Sequence, residues 1–102
     1  MRIRPLALLA AFLAAPAASP AFAEDARYLA ANCANCHGTE GRAVGAIPVL
    51  AGIDADYFIA QMKAFQDGRR QATIMNQLAK GYSDPQVAAL AKFFAGQRAA
   101  GR

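Results

Sequence analysis

The reactive side chains of this sequence are concentrated in five consecutive residues, Cys33-Ala34-Asn35-Cys36-His37. They include both cysteines and the single histidine of the chain. Residues three apart on a helix share a face, so Cys33 and Cys36 can present both sulfur atoms to one edge of a flat macrocycle. The spacing C-x-x-C-H is the attachment signature of c-type haem, and a histidine is a standard axial ligand of haem iron. We therefore predict one covalently attached haem c, joined through thioethers to Cys33 and Cys36, with His37 on the iron.

Three other chemistries use parts of the same motif. A structural zinc site requires four ligands, usually cysteine and histidine, and this chain has three such residues in total. A thioredoxin-like redox pair needs a βαβ setting, and the surrounding pattern lacks strands. A disulfide between Cys33 and Cys36 would close a loop too short to restrict the unfolded chain strongly. These considerations favour haem and leave the other three as alternatives.

A six-coordinate iron would need a second axial ligand, and a methionine thioether is the obvious candidate in a chain with one histidine. Met/His ligation raises the reduction potential because a soft thioether favours ferrous iron. Met62 lies among apolar residues at helical spacing, which predicts a place in the core. Met75 lies 38 residues after His37, where the chain can fold back over the opposite haem face. Met75 is our predicted ligand; if both methionines were core residues, the iron would be open to oxygen or peroxide chemistry.

The first 23 residues have the three-part pattern of a secretory signal peptide. Residues 1–4 are basic, residues 6–15 are apolar without interruption, and residues 21–23 form an Ala-x-Ala cleavage site. The apolar run is shorter than the roughly 20 residues that span a bilayer. We predict cleavage after Ala23 and export to the periplasm, where bacteria attach haem covalently. An uncleaved membrane anchor is the alternative.

Cleavage would leave residues 24–102, which are 79 residues and enough for one small domain. The signal segment removes two of the 11 basic residues and none of the seven acidic ones, so the net charge falls from +4 to +2. That charge is too small for a nucleic-acid-binding surface, and we expect no membrane insertion of the cleaved chain. A domain of this size rarely buries enough apolar surface by itself, so we expect a cofactor or a cross-link to complete it.

The pattern after residue 23 is helical and contains no convincing strand. We predict four helices, at about residues 24–36, 54–66, 73–80 and 84–95. Asp54 is the expected N-cap of the second helix, and Ser83 and Gln86 have the spacing of a capping box before the fourth. Residues 37–53 are rich in glycine and proline, which predicts an ordered loop.

Each long helix carries one apolar face that is expected to be buried. In the first helix the face includes Leu29 and Cys33. The faces of the second and fourth helices consist of Phe58, Ile59, Met62 and Phe65, and of Val87, Leu90, Ala91 and Phe94.

Taken together, these residues resemble the class I cytochromes c over essentially all of residues 24–97. The resemblance implies an all-α fold of about four helices around one haem, with the terminal helices crossing so that Leu29 packs against Leu90 and Phe94. It also implies that the carbonyl of Pro48 accepts a hydrogen bond from the His37 ring, which fixes the ring and raises its basicity. A simple rigid turn is the alternative role for Pro48. Tyr82 is expected either to cover the haem or bind a propionate, or to pack in the core.

A narrower resemblance is carried by Ala72-Thr73-Ile74-Met75 and by residues 78–83, Leu-Ala-Lys-Gly-Tyr-Ser. This segment looks like the Met-ligand segment of the cytochrome subunit of flavocytochrome c sulfide dehydrogenase and of cytochrome c4, which supports Met75 over Met62. Some members of that subgroup have two haem domains, whereas this chain has one C-x-x-C-H motif. The resemblance implies a one-electron carrier rather than a catalyst by itself, whose partner is an FAD-containing flavoprotein.

Two further functions remain open, a free-standing cytochrome of the c4 or c553 type that serves a respiratory chain, and a haem sensor or peroxidase with open iron. A haem-free secreted module is the third alternative. Five basic residues are expected to surround the haem edge, where they would steer an acidic partner or neutralise propionates; simple solvation is their alternative role. These residues are Arg42, Lys63, Arg69, Arg70 and Lys80.

Overall fold

The computed structural model describes residues 25–99 and the single residue 11. The predicted cleavage site after Ala23, and the signal segment apart from residue 11, lie outside the described residues. Four α-helices follow in order: α1 (Ala26–His37), α2 (Ala55–Asp67), α3 (Met75–Leu78) and α4 (Asp84–Ala95). No strand occurs in the part of the chain that is described, so the predicted all-α class is confirmed. None of the described helices is long and apolar enough to cross a membrane.

The ends of the long helices are fixed by side chains that the sequence pattern indicates. The Asp54 carboxylate accepts a hydrogen bond from the backbone N–H of Tyr57 at 2.9 Å and caps α2. At the other end of α2, Gly68 adopts the left-handed conformation that terminates many helices. Ser83 and Gln86 form the predicted capping box at the start of α4. These caps set the boundaries of α2 and α4 within a residue of the prediction.

The third helix is shorter than expected and is the one clear error in the secondary structure. The prediction was a helix over residues 73–80, but α3 begins at Met75 and covers four residues before a 3-10 turn, Ala79–Gly81. No side chain caps its start at Ile74. A helix this short has little stability of its own, so contacts with the rest of the domain must hold it in place.

The core lies where α4 packs against α1 and α2. Leu90 and Ala91 are fully buried, and Phe94 contacts Phe58 with ring centroids 5.7 Å apart. Leu29 belongs to the same cluster as Leu90 and Phe94, as the predicted crossing of the terminal helices requires.

The buried face of α2 is narrower than predicted. Phe58 and Met62 are buried, with Met62 only 5% exposed, and Phe65 packs partly against the cluster. Ile59 is 36% exposed, because its position lies about 100° around the helix from Phe58, away from α4. The expected core role of Met62 is therefore confirmed, and that of Ile59 is wrong.

Gly41 ties the loop after α1 to this core. Its carbonyl accepts hydrogen bonds from the backbone N–H groups of Leu50 at 2.9 Å and Ala51 at 3.1 Å. Its φ of +80° is one that side-chain-bearing residues rarely adopt. A Cβ at this position would lie 2.8 Å from the Ala51 nitrogen and 2.9 Å from Phe94 Cδ1. Only glycine fits, and the segment around Pro48 is positioned as a result.

We expect Gly41→Ala to destabilise the domain more than Gly45→Ala, which is its matched control. Both positions have positive φ, so each variant incurs a backbone cost of about 1–2 kcal/mol. A Cβ at Gly45 meets nothing within 4 Å, whereas at Gly41 steric overlap adds about 1–3 kcal/mol. Unfolding of the two variants in guanidinium measures the difference in their free energies of unfolding. Equal losses of stability would show that the space around Gly41 can accommodate a Cβ.

Candidate cofactor site

The last turn of α1 presents the three residues of the C-x-x-C-H motif. Cys33 is half-buried against the core cluster and Cys36 is exposed, and no disulfide joins them. Burial raises the pKa of the Cys33 thiol above its ordinary value, so the group is a neutral thiol at neutral pH. The two sulfurs are therefore available, from one turn of helix, for bonds to a common partner.

His37 is the final residue of α1, one residue beyond the predicted helix end. Its Nδ1 lies 2.7 Å from the carbonyl oxygen of Pro48. Because a carbonyl can only accept, Nδ1 carries the proton and donates it, which leaves Nε2 with a free lone pair. This is the arrangement in which a histidine acts as a metal ligand, with the second nitrogen fixed by a carbonyl. The hydrogen bond implied by the resemblance is present.

Met75 opens α3 and is half-buried at the margin of the core cluster. Large apolar side chains flank it, as they flank Pro48, and each is between 43% and 55% exposed. These side chains are Ile74 and Leu78 beside Met75, and Ile47 and Val49 beside Pro48. These side chains could supply the apolar contacts that a bound porphyrin needs. The donor set and the apolar surroundings fit a haem, which needs two sulfurs, a nitrogen ligand and apolar contacts for the porphyrin.

Tyr82 lies close to the first cysteine. Burial raises the pKa of its hydroxyl, the negative charge that Cys33 would carry as a thiolate adds to the effect, and a hydrogen bond with the Asn32 side chain opposes it. The ring also packs partly against the core cluster. The core-packing expectation for Tyr82 is therefore met, while contact with a haem propionate stays a prediction.

Three of the five basic residues make close contacts within the chain. The guanidinium of Arg42 pairs with Glu40 at 2.8 Å, and that of Arg69 pairs with Asp67 at 2.7 Å. The backbone N–H of Arg69 also donates to Asp67 and holds the pKa of that carboxyl below its usual value. Both ion pairs are partly exposed and contribute little to stability, so a docking role for Arg42 and Arg69 stays a prediction.

Arg70 donates to Gln61 Oε1 at 2.6 Å and lies over the ring of Phe65, 4.7 Å from its centroid. The Lys63 amine is 4.0 Å from Asp84, and both side chains are largely exposed, so this pair contributes little. Lys80 is exposed at the end of the 3-10 turn that follows α3. A docking role for these residues stays a prediction.

Two amide side chains were not anticipated from the sequence, and both hold the segment that contains Met75. Asn76 makes three hydrogen bonds to the chain around it, and Gln66 donates from α2 to the carbonyls of Ala79 and Tyr82. Neither residue contributes to an apolar periodicity, so the pattern analysis had no signal for them. Their positions became informative only when the fold brought α2 and α3 together.

A groove of about 550 Å³ lies between the start of α1 and α4. It contains none of the predicted site residues. Within the same described range, no group of three or more His, Cys, Asp and Glu side chains is placed to hold a metal ion. The zinc alternative therefore has no support from the described residues.

A helix that ends in C-x-x-C-H and a histidine with its Nδ1 committed to a carbonyl define a c-type haem protein. Comparison with known proteins leads to the same class. The family model for cytochrome c matches residues 23–97, and the chain belongs to the cytochrome c family.

Individual relatives agree with this assignment. The chain is 33% identical over 81 residues to the cytochrome subunit of sulfide dehydrogenase of Chlorobaculum tepidum, covering 79% of this chain and 74% of the relative. It is 38% identical over 69 residues to cytochrome c-554(548) of Halomonas halodenitrificans, covering 64% of this chain and 83% of the relative. The cytochrome c4 structure of Acidithiobacillus ferrooxidans matches with a TM-score of 0.59 and 38% identity, over 62% of this chain and 37% of that one.

These findings confirm the class I all-α cytochrome c fold, a covalently bound haem c and electron transfer as the activity. The chain spans little more than a third of the cytochrome c4 chain that it matches. The likeness to that protein therefore concerns the haem domain and not the whole molecule.

We expect Pro48→Gly to speed the exchange of the His37 Nδ1 proton by about fivefold in the reduced protein. The variant keeps the accepting carbonyl but frees the backbone, which lowers the stability of the ordered loop by about 1 kcal/mol. NMR hydrogen exchange measures this proton directly. Pro85→Gly, at the start of α4, is the control with equal backbone chemistry, and an equal acceleration there would contradict a local role for Pro48.

Proposed function

We propose that this chain is a periplasmic one-electron carrier in which one haem c is joined to Cys33 and Cys36 and held axially by His37 and Met75. When bound, the haem supplies an iron that carries one electron by changing between the ferrous and ferric states. The observation that supports the assignment is the hydrogen bond from His37 Nδ1 to the Pro48 carbonyl, which leaves the Nε2 lone pair available for the iron. Residues 24–102 are then a single monohaem domain.

Each residue of the site has a separate contribution to electron transfer. The hydrogen bond to the Pro48 carbonyl holds the plane of the His37 imidazole, which limits movement of the ligand when an electron is transferred. The Met75 thioether stabilises the ferrous state and raises the reduction potential. The apolar side chains beside Pro48 and Met75 keep water from the porphyrin, which lowers the local dielectric and favours the less charged, reduced centre.

The proposed electron donor is the FAD-containing subunit of a sulfide-oxidising enzyme. The similarity to the cytochrome subunit of sulfide dehydrogenase supports this partner, because the match extends over most of both chains. A second candidate is a free-standing carrier that serves a respiratory chain, which the similarity to cytochrome c-554(548) supports. The two candidates differ in whether the chain forms a stable complex.

Purification from the native periplasm distinguishes the two candidates. A flavocytochrome subunit would elute with a flavin-containing protein, and sulfide would reduce its haem within the purified complex. A free carrier would elute alone, and its haem would stay oxidised with sulfide until a separate dehydrogenase was added. N-terminal sequencing of the same material tests export, since the mature chain is expected to begin at Glu24.

We expect Met75→Ala to abolish the weak far-red absorption band of a methionine bound to ferric haem and to lower the reduction potential. The iron would then be high-spin and would bind cyanide readily. Visible absorption spectra of the ferric protein measure both effects. Survival of the band in Met75→Ala would contradict the ligand assignment, because another methionine would then bind the iron. An unmodified protein that lacks the band and binds cyanide readily would instead favour an open-iron sensor or peroxidase.

Met62→Ala is the matched control for this experiment. Met62 is buried in the core, so its loss should lower the free energy of unfolding by about 2–5 kcal/mol. The far-red band should persist in that variant. The two variants distinguish a structural methionine from a ligand. Met62→Ala is expected to lower the free energy of unfolding and keep the far-red band, whereas Met75→Ala is expected to lose the band.

A further inference from the structure

The short helix α3 is held by the side chain of its second residue rather than by its own caps. Ile74, at its N-cap position, provides no side-chain hydrogen bond to the helix. The Asn76 side chain instead accepts a hydrogen bond at Oδ1 from the backbone N–H of Ala72 at 2.9 Å. Its Nδ2 donates to the carbonyls of Phe65 at 3.0 Å and Arg70 at 2.8 Å. Both Nδ2 hydrogens are thus used.

These bonds connect α3 to the end of α2. The Phe65 carbonyl is one of the last four of α2, which have no partner inside the helix. The preceding carbonyl, of Ala64, accepts from the backbone N–H of Arg70 at 3.1 Å. Asn76 therefore completes the C-terminal cap of α2 and fixes the 70–72 loop in the same step.

Apolar contacts and hydrogen bonds share the work of holding this segment. Ala79 is fully buried and Met75 packs partly against the core cluster, whereas Gln66, Gly68 and Asn76 line an open groove of about 310 Å³ between the end of α2 and α3. Among the described residues, Gln66 of α2 adds two side-chain hydrogen bonds, to the carbonyls of Ala79 at 2.9 Å and Tyr82 at 3.3 Å. On the groove side, the position of α3 therefore depends on a few directional bonds, of which Asn76 makes three.

We propose that Asn76 is a positioning residue for the axial thioether: its three hydrogen bonds hold Met75 at the iron and keep the ligand from detaching. The proposal rests on Met75 being the axial ligand. It predicts that loss of the Asn76 bonds weakens axial ligation more than it weakens the fold as a whole. A purely structural role would lower overall stability without a particular effect on the ligand.

Imidazole binding to the ferric holoprotein measures ligand detachment, because imidazole binds the fraction of molecules in which the thioether is off the iron. We expect Asn76→Ala to raise the apparent imidazole affinity about tenfold, which is the effect of losing one or two net hydrogen bonds. Gln97→Ala is the matched control. It removes one amide-to-carbonyl bond, from Gln97 Nε2 to Phe93, at the end of α4, and should change the affinity less than twofold.

The two claims fail in distinguishable ways. If Met75→Ala and the unmodified protein bind imidazole equally well, the ligand assignment is wrong and the role of Asn76 falls with it. If Met75→Ala binds more tightly while Asn76→Ala behaves like Gln97→Ala, only the role of Asn76 is overturned. Asn76→Asp retains the bond from Ala72 and loses both donated bonds, so it serves if the alanine variant does not fold. An unchanged affinity in that variant also overturns the proposal.

Discussion

The hydrogen bond between His37 Nδ1 and the Pro48 carbonyl is the contact on which the site depends. It joins the end of α1 to a loop that the core holds through Gly41, so the orientation of one imidazole is determined by the packing of α4. The same bond decides the tautomer, because a carbonyl accepts and never donates. This one hydrogen bond, 2.7 Å long, therefore fixes both the orientation and the tautomer of the single histidine in the sequence.

The two sides of the proposed iron site are built in different ways. On the histidine side, a twelve-residue helix and a glycine-fixed loop leave the ligand little freedom. On the methionine side, a four-residue helix beside a cavity is tied to α2 by side-chain amides. A thioether bonds iron more weakly than an imidazole does, and the element that carries it is also the shorter of the two. This difference makes the methionine side the place where small changes in the polypeptide are most able to alter the reduction potential.

Much of the fold was predictable because its signals are local. The acidic N-cap of α2, the Ser83–Gln86 capping box and the apolar stripe of α4 each specify an element without knowledge of the rest of the chain. Cys33, Cys36 and His37 were identifiable for the same reason, since their spacing alone carries the chemistry. The hydrogen bond between the His37 ring and the Pro48 carbonyl was predicted from the resemblance to class I cytochromes c.

The parts that the sequence did not reveal are those set by long-range contacts. The four-residue helix α3 is accompanied by Asn76 bonds to the carbonyls of residues 65 and 70, which no helix propensity encodes. The exposure of Ile59 depends on the direction from which α4 approaches α2. The partners of the arginines were also not predicted, since Arg42 bonds to the Arg98 carbonyl, 56 residues away, while Arg69 pairs with Asp67. The sequence positions of basic residues do not show which groups their side chains contact.

The central claim is that one haem, bonded to Cys33 and Cys36, completes a domain too small to be stable on its own side chains. Intact mass spectrometry of the protein made in cells that attach haem c, followed by digestion, tests it most directly. The account predicts a mass greater than that of residues 24–102 by one haem, retained after denaturation on the peptide that contains both cysteines. A haem-free mass in a protein that still unfolds cooperatively would contradict it.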